Sequence, residues 1–562
     1  MKNHVLLLAF FITTLNCQSQ YTFVKQWDVR YGGIDQDWAD KIIQTSDGGY
    51  LIGGDSESSL GGDKTEDSRG WYDYWLVKMD SNGTKEWDRR FGTSGYDAFA
   101  TMVETKDGGF ILGGYNGGAL NGDNTQDGKG GIDYWIVKVS AGGIKEWDKR
   151  YGGSRDDKPK TIISTKDGGF LIGGGSESGV SGDRTWPNQN TWFVPTDDYW
   201  IVKIDSLGNY EWDRAYGGNK DDVLQSVIQT VDGGYLLAGY SSSDSSGDRT
   251  QPNWNPNPSN SQQPDGWIVK IDSVGNKQWD KRFGTAYQDR LYSVAQMPDG
   301  GYLLGGEAFG DTTEDKKAIK GPLWIIKINP QGLKEWDCGY ISLTEEMRMN
   351  PTIDDGFILF GETRDYTPNP DYELDKSETN LGYQQSWILK IDSLGKKQWD
   401  KTIFSFGDDK GGYAIQTTDG CYAVANSTNG DIGGYQSHPY RDTAVTWKTH
   451  DYWVLKFCME PFNAVDDLNK EDVKVLVYPN PFTSDVSIAI TKEGISEATF
   501  TISNAMGQVI YNRKETNLGS GYTKNLDLSV LPNGVYFIEV TAPSGSPEGG
   551  ELFRVVKRVV KE

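Results

Sequence analysis

Between residues 97 and 151 short apolar runs alternate with clusters of turn residues: DAFATMVE, FILGGY, DYWIVKV and KEWDKRY. Each run is rich in aromatic and β-branched residues and is bounded by Gly, Asp, Asn or Ser, which predicts four short strands. No apolar pattern keeps a 3.6-residue period, so helices are not expected. The turn between the first two runs reads Thr-x-Asp-Gly-Gly, and in most copies the turn between the last two reads Asp-Ser-x-Gly. Each supplies a Gly for positive φ and an Asp that bonds the turn backbone, which predicts tight antiparallel hairpins.

The unit repeats. Trp-Asp recurs at Trp27, Trp87, Trp147, Trp212, Trp279, Trp336 and Trp399, and Asp-Gly-Gly at Asp47, Asp107, Asp167, Asp232 and Asp299, with decayed forms at Asp355 and Asp419. Seven four-stranded antiparallel units predict an all-β fold, a seven-bladed β-propeller. The first copy starts with its fourth strand alone, from Tyr21, and the last stops after its third. An open array would need a cap at each end; a ring instead pairs residues 21–30 with residues 411–458.

Composition narrows the class. Seventy Gly and 12% aromatic residues in 562 suit turns and packed strands, and a net charge of −24 repels phosphate backbones, which argues against a nucleic-acid partner. Residues 1–20 (MKNHVLLLAFFITTLNCQSQ) read as an export signal peptide, too short to span a membrane, and no other stretch is long and apolar enough to be a transmembrane segment. Cys17 raises a lipoprotein anchor as the rival, although the residues before it depart from a lipobox. Aligned on the repeat, Cys421 and Cys458 face each other across an antiparallel pair, which predicts a disulfide suited to an exported protein, with two free thiols as the alternative. Cys338 is left over.

The loops between second and third strands vary most, at 62–73, 247–266, 363–386 and 427–451, and open on the same end as the acidic links between units. Binding concentrates on such variable loops. Trp71, Trp186, Trp192, Trp254, Tyr366, Tyr372 and Trp447 there suit stacking on sugar or protein, or else fold over the unit tops. Asp-x-Thr-x-Asp occurs as Asp63, Thr65, Asp67, as Asp123, Thr125, Asp127, and as Asp311, Thr313, Asp315. Such alternating oxygens suit Ca²⁺, or they cap their own turns. No other cofactor is implied. Mature His residues number two, His438 and His450, and the Asp156–Asp157 and Asp221–Asp222 pairs read as exposed and alike, so support for catalysis is thin. The Trp-Asp pairs read as packing elements.

After a polar linker (459–471) the markers stop, and VLVYPNPFTSDVSIAI, ATFTISNAMGQVIY, LDLSVLPNGVYFIEV and ELFRVVKRVVKE predict a small Ig-like β-sandwich over 472–562. Tyr478-Pro479-Asn480-Pro481, Gly507-Gln508, the Leu531 to Tyr536 block and a basic last strand through Lys557, Arg558 and Lys561 resemble the type A C-terminal sorting domain of the type IX secretion system of Bacteroidetes. The resemblance implies handling by that machinery, passage across the outer membrane, and display at the cell surface or release. Residues 21–458 resemble long-period secreted propellers, which implies a fold more than an activity. The expectation is a non-enzymatic binding or adhesion module for glycan or a surface protein, with a polysaccharide-acting enzyme using loop carboxylates as the alternative.

Overall fold

A computed structural model of the chain describes residues 21–561 apart from 118–119, 190–194, 255–262, 311, 314, 319–320, 341–343, 365–374, 379–383, 440–448, 462–474, 479–482, 491–495, 505–508, 517, 519–521 and 544–551. The described chain is strand and turn, in two compact units, one spanning Phe23–Met459 and the other containing Glu460–Glu562.

The larger unit holds seven four-stranded antiparallel sheets, six of them built from four consecutive strands. The first strands of sheets 1 to 7 are Asp37–Gln44, Asp97–Glu104, Asp157–Ser164, Asp222–Gln229, Asp289–Gln296, Thr344–Pro351 and Asp409–Gln416. In sheet 7 the outer strand is the N-terminal strand Tyr21–Tyr31, paired with Asp451–Pro461. The split unit in the sequence is therefore made whole by one sheet.

Within each sheet the third-strand Trp is buried and donates its indole N–H to the Trp-Asp carboxylate at 2.9 to 3.1 Å, in all seven copies. Asp88 also accepts from the backbone and hydroxyl of Thr65, both 2.9 Å. At the other end of each sheet the buried third-strand Lys pairs with the turn Asp at 2.7 to 3.1 Å, again seven times. In sheet 6 that Asp is Asp354, not Asp355. Asp355 takes the left-handed position (φ 59°) that Gly48 holds in sheet 1, so the decayed marker lies one residue earlier than its Asp-Gly spelling suggests.

Neighbouring sheets share cores, as where Leu51 and Leu76 of sheet 1 join Phe110 and Trp135 of sheet 2. Sheet 7 packs on sheet 1 in the same way: Ala423 and Val454 join Ile52 and Trp75. The bonds between sheets also repeat across that seam. Tyr74 donates to the Trp135 carbonyl at 3.3 Å, and Tyr452 to that of Trp75 at 3.1 Å. The backbone N–H of Val231 donates to Gln296 at 2.9 Å, and that of Thr418 to Gln44 at 2.8 Å. Between sheets the chain passes so close to a buried carboxylate that a Cβ on Gly92 would lie 1.7 Å from Asp73 Oδ1.

The smaller unit has a three-stranded sheet (Val475–Tyr478, Asp485–Ile490, Thr523–Asp527) and a four-stranded sheet (Glu497–Asn504, Val509–Thr516, Gly534–Pro543, Leu552–Lys561). Val475, Val486 and Ile488 of one meet Phe500, Ile502, Ile538 and Val559 of the other in a single core, as alternation along each strand requires. Lys561 caps the carbonyls of Leu528, Ser529 and Leu531.

Candidate functional site

Every first strand slips register once against its neighbour. In sheets 1 to 5 the slip spans one residue, so the ladder register skips Asp40, Ala100, Lys160, Gln225 and Tyr292. Such a bulge re-aims a side chain, and these five line one cavity of about 620 Å³. Slips in sheets 6 and 7 end at Arg348 and Tyr413, which line it too, so all seven first strands contribute to its lining. The repeat breaks here: the places equivalent to Asp40 hold Ala100, Lys160, Gln225, Tyr292, Met347 and Gly412, and those equivalent to Lys41 hold Thr101, Thr161, Ser226, Ser293, Arg348 and Tyr413.

One side of the cavity is basic. Lys41 Nζ sits 4.5 Å over the Tyr413 ring, and Arg348 donates to the Asp40 carbonyl at 2.6 Å and the Gly412 carbonyl at 3.2 Å. The Tyr413 hydroxyl bonds Asn350 at 2.8 Å. Burial pushes this phenol up, but Lys41, the Asn350 bond and Arg348 outweigh it and leave its pKa below the ordinary tyrosine value.

The other side is acidic and aromatic. Asp55 lines the cavity near Asp40, and its carboxylate accepts the Phe99 backbone N–H at 2.6 Å. Burial, then the charges of Asp40 and Asp97, hold its pKa well above the carboxylate range. Rings of sheets 7, 1 and 2 meet in pairs nearby: His450 stacks on Trp38 at 4.3 Å, Tyr72 meets Tyr96 edge-on at 5.4 Å, and Tyr96 lies 6.2 Å from Tyr115. Burial, then Glu57, pushes the Tyr72 phenol up, and burial, then Tyr115 and Asp55, pushes that of Tyr96 up. Tyr96 and Tyr115 line the cavity, and Tyr96 is 43% exposed.

The paired carboxylates are not alike. Asp157 and Asp222 are fully buried, accept the N–H of Gly153 and Gly218 at 2.7 Å, and are pushed by burial to about 6, whereas Asp156 and Asp221 lie nearer the surface. The first Asp of the inner strand is a structural anchor, so the expectation of exposed, equivalent pairs is corrected. Asp37 and Asp97 play the same part, also near 6.

The loop residues do not form one site among the described residues. Trp71 is 76% exposed in sheet 1. Trp186 in sheet 3 is packed by Arg214 at 5.2 Å, and Trp254 in sheet 4 by Arg282 at 4.8 Å. Trp192, Tyr366, Tyr372, Trp447 and Asp311 lie outside the described residues. Asp63 accepts from Gly32 N–H (3.2 Å), Asp67 from Leu60 N–H (2.8 Å), and Thr65 turns to Asp88. Asp123 pairs with Arg69 and Arg90, Asp315 with Arg282, and Asp127 is exposed. Among described residues no three His, Cys, Asp or Glu gather to hold a metal ion.

Cys421 and Cys458 form a disulfide with Cα atoms 4.3 Å apart, and Cys338 is a free thiol that burial pushes up to about 12. His438 bonds the Asp28 carbonyl, and burial lowers His450 to about 4.

The loop-length variation in the sequence points to the variable loops and not to this cavity. The signal was present: at positions 38, 40 and 55 of an otherwise regular repeat, residue type changes from copy to copy.

Residues 476–547 match the family described as Secretion system C-terminal sorting domain. The tail is a sorting signal, and the protein is exported by the type IX route to the cell surface or beyond. No curated protein matches the chain. Similar solved structures include a protein of unknown function from Dyadobacter fermentans (10% identity, TM-score 0.39, 78% of this chain and 99% of that one). Others are a protein of unknown function from Bacteroides caccae (11%, 0.30, 57% and 94%) and a puromycin hydrolase (9%, 0.41, 82% and 61%). Among described residues no helix is long and apolar enough to cross a membrane.

Proposed function

We propose that residues 21–458 are a seven-bladed β-propeller and residues 472–562 an Ig-like sandwich, joined by the linker 459–471 and preceded by a signal peptide at 1–20. The exported protein is a non-enzymatic binding module for glycan, and its seat is the entrance of the cavity ringed by the seven first strands. One observation carries this reading: the residues that differ between otherwise matching sheets converge there, and on one side they are rings flanked by carboxylates. Aromatic faces take the apolar faces of sugar rings while carboxylates accept their hydroxyls.

The test is a glycan array probed with the mature protein and with Tyr96→Ala, with calcium and with chelator. Binding to a defined glycan set, lost in the variant and indifferent to calcium, supports the reading; binding that the variant retains removes the seat. Calcium dependence would restore the Asp-x-Thr-x-Asp loops as a metal site. The Asp40–Asp55 pair favours a second reading, hydrolysis of polysaccharide, since two carboxyls in one cavity can divide acid and base roles. Release of reducing ends by the protein and not by Asp55→Asn would establish it.

A further inference from the structure

Resting on that reading, we infer that the cavity seats an anionic group of the glycan, a carboxylate or a sulfate ester, beside Lys41 and Arg348. The place just past the register slip is held by Lys41 in sheet 1, Arg348 in sheet 6 and Tyr413 in sheet 7, and by Thr or Ser in sheets 2 to 5, from Thr101 to Ser293. All seven residues line the cavity. At this register position the wall carries no carboxylate, and its charges are positive. Four sheets form with Thr or Ser there, so packing does not call for a charge at Lys41 or Arg348.

The two cations come from sheets on either side of sheet 7 and meet at one of its rings. Lys41 Nζ lies 4.5 Å, and the guanidinium carbon of Arg348 6.0 Å, from the centre of the Tyr413 ring. Arg348 is held in place by the carbonyls of Asp40 and Gly412, and Lys41 makes no ion pair among the described residues. Like charges at one ring repel each other, and an anion beside them relieves that repulsion and takes a charge-assisted hydrogen bond from Lys41. A neutral hydroxyl leaves the repulsion as it was. A third cation, Lys160 of sheet 3, is exposed and lines the cavity too. The lining carboxylates are Asp40 and Asp55; burial, then Asp40, holds Asp55 well above the carboxylate range, so it opposes an anion less than an ordinary aspartate would. In a chain of net charge −24, a wall with three cations to two carboxylates is set apart from the rest of the molecule.

Calorimetric titration of the mature protein separates the possibilities with hexagalacturonate, a sulfated galactan hexamer, the neutral counterpart of each (the methyl ester and the desulfated hexamer) and hexaglutamate. One of the charged saccharides is expected to bind about tenfold tighter than its neutral counterpart, as one charge-assisted hydrogen bond supplies, and which one does so tells a carboxylate from a sulfate. The preference should vanish in Lys41→Gln at an unchanged melting temperature, and in the parent it should shrink as salt is raised. Charged saccharides bound no tighter than their counterparts overturn the anion inference and leave the glycan reading standing, and a preference that folded Lys41→Gln keeps overturns the seat. Hexaglutamate bound while every saccharide is refused upholds the anion inference and overturns the glycan reading. No binding of any probe by a folded sample overturns the inference.

Discussion

The turn end of the sheets and the cavity entrance are built from the same strands by opposite rules. At the turn end each sheet carries the same Asp and Lys, and the same bond recurs in every copy, from Asp47–Lys78 to Asp419–Lys456. On the second strands, the place that Asp55 holds in sheet 1 is taken by Tyr115, Gly175, Tyr240, Glu307, Glu362 and Ser427, of which Asp55 and Tyr115 line the cavity. Agreement among copies marks what every sheet needs in order to pack. Disagreement at Asp55 and Tyr115 falls on the cavity wall, where a ligand can make the demand.

The contrast breaks first on stability. Asp88→Ala removes the acceptor of Thr65 and of the buried Trp75 indole and the partner of Lys85, which should cost about 3–5 kcal/mol in urea unfolding. Asp55→Asn at the entrance should stay within about 0.5 kcal/mol of the parent. Replacing Cys421 and Cys458 by Ser should cost about 2–4 kcal/mol, because the link closes residues 37 apart in sequence.

A pH series sharpens the comparison. Burial holds Asp37, Asp97, Asp157 and Asp222 near 6, above the unfolded value of 3.8, so their contribution is full below about pH 4 and is lost as pH rises through 6. Burial also pushes Asp47, Asp167 and Asp419 up, but the neighbouring Thr and the paired Lys outweigh it and hold them near 2. Their contribution is present above about pH 4 and lost as pH falls towards 2. The urea midpoint should therefore peak between about pH 4 and 5 and fall on both sides. A midpoint that rises steadily to pH 8 would contradict the buried-carboxylate account. The smallest stability effect belongs to Tyr96→Ala, within about 0.5 kcal/mol, since the ring is 43% exposed.

The repeat was legible because its markers are the residues that make the sheets. The Asp of Trp-Asp accepts the third-strand indole from the adjacent strand, Asp-Gly-Gly is a turn, and the split unit joins Tyr21–Tyr31 to Asp451–Pro461. The cavity was not, because a bulge decides where Asp40 and Tyr292 point, and period-two alternation assigns them to a face without foreseeing the slip. Asp157 and Asp222 misled for a related reason: an Asp beside another Asp reads as solvated, yet here one of each pair ties down the link between sheets. Trp186 and Trp254 looked free because their partners, Arg214 and Arg282, lie 28 residues further along the chain.

The most direct test of the entrance as the functional site is the glycan array of the mature protein beside Tyr96→Ala and Trp71→Ala. The account predicts a defined glycan set for the parent, retained by Trp71→Ala on its exposed loop and lost by Tyr96→Ala with an unchanged melting temperature. Loss on Trp71→Ala with retention on Tyr96→Ala would place binding on the loops and contradict it.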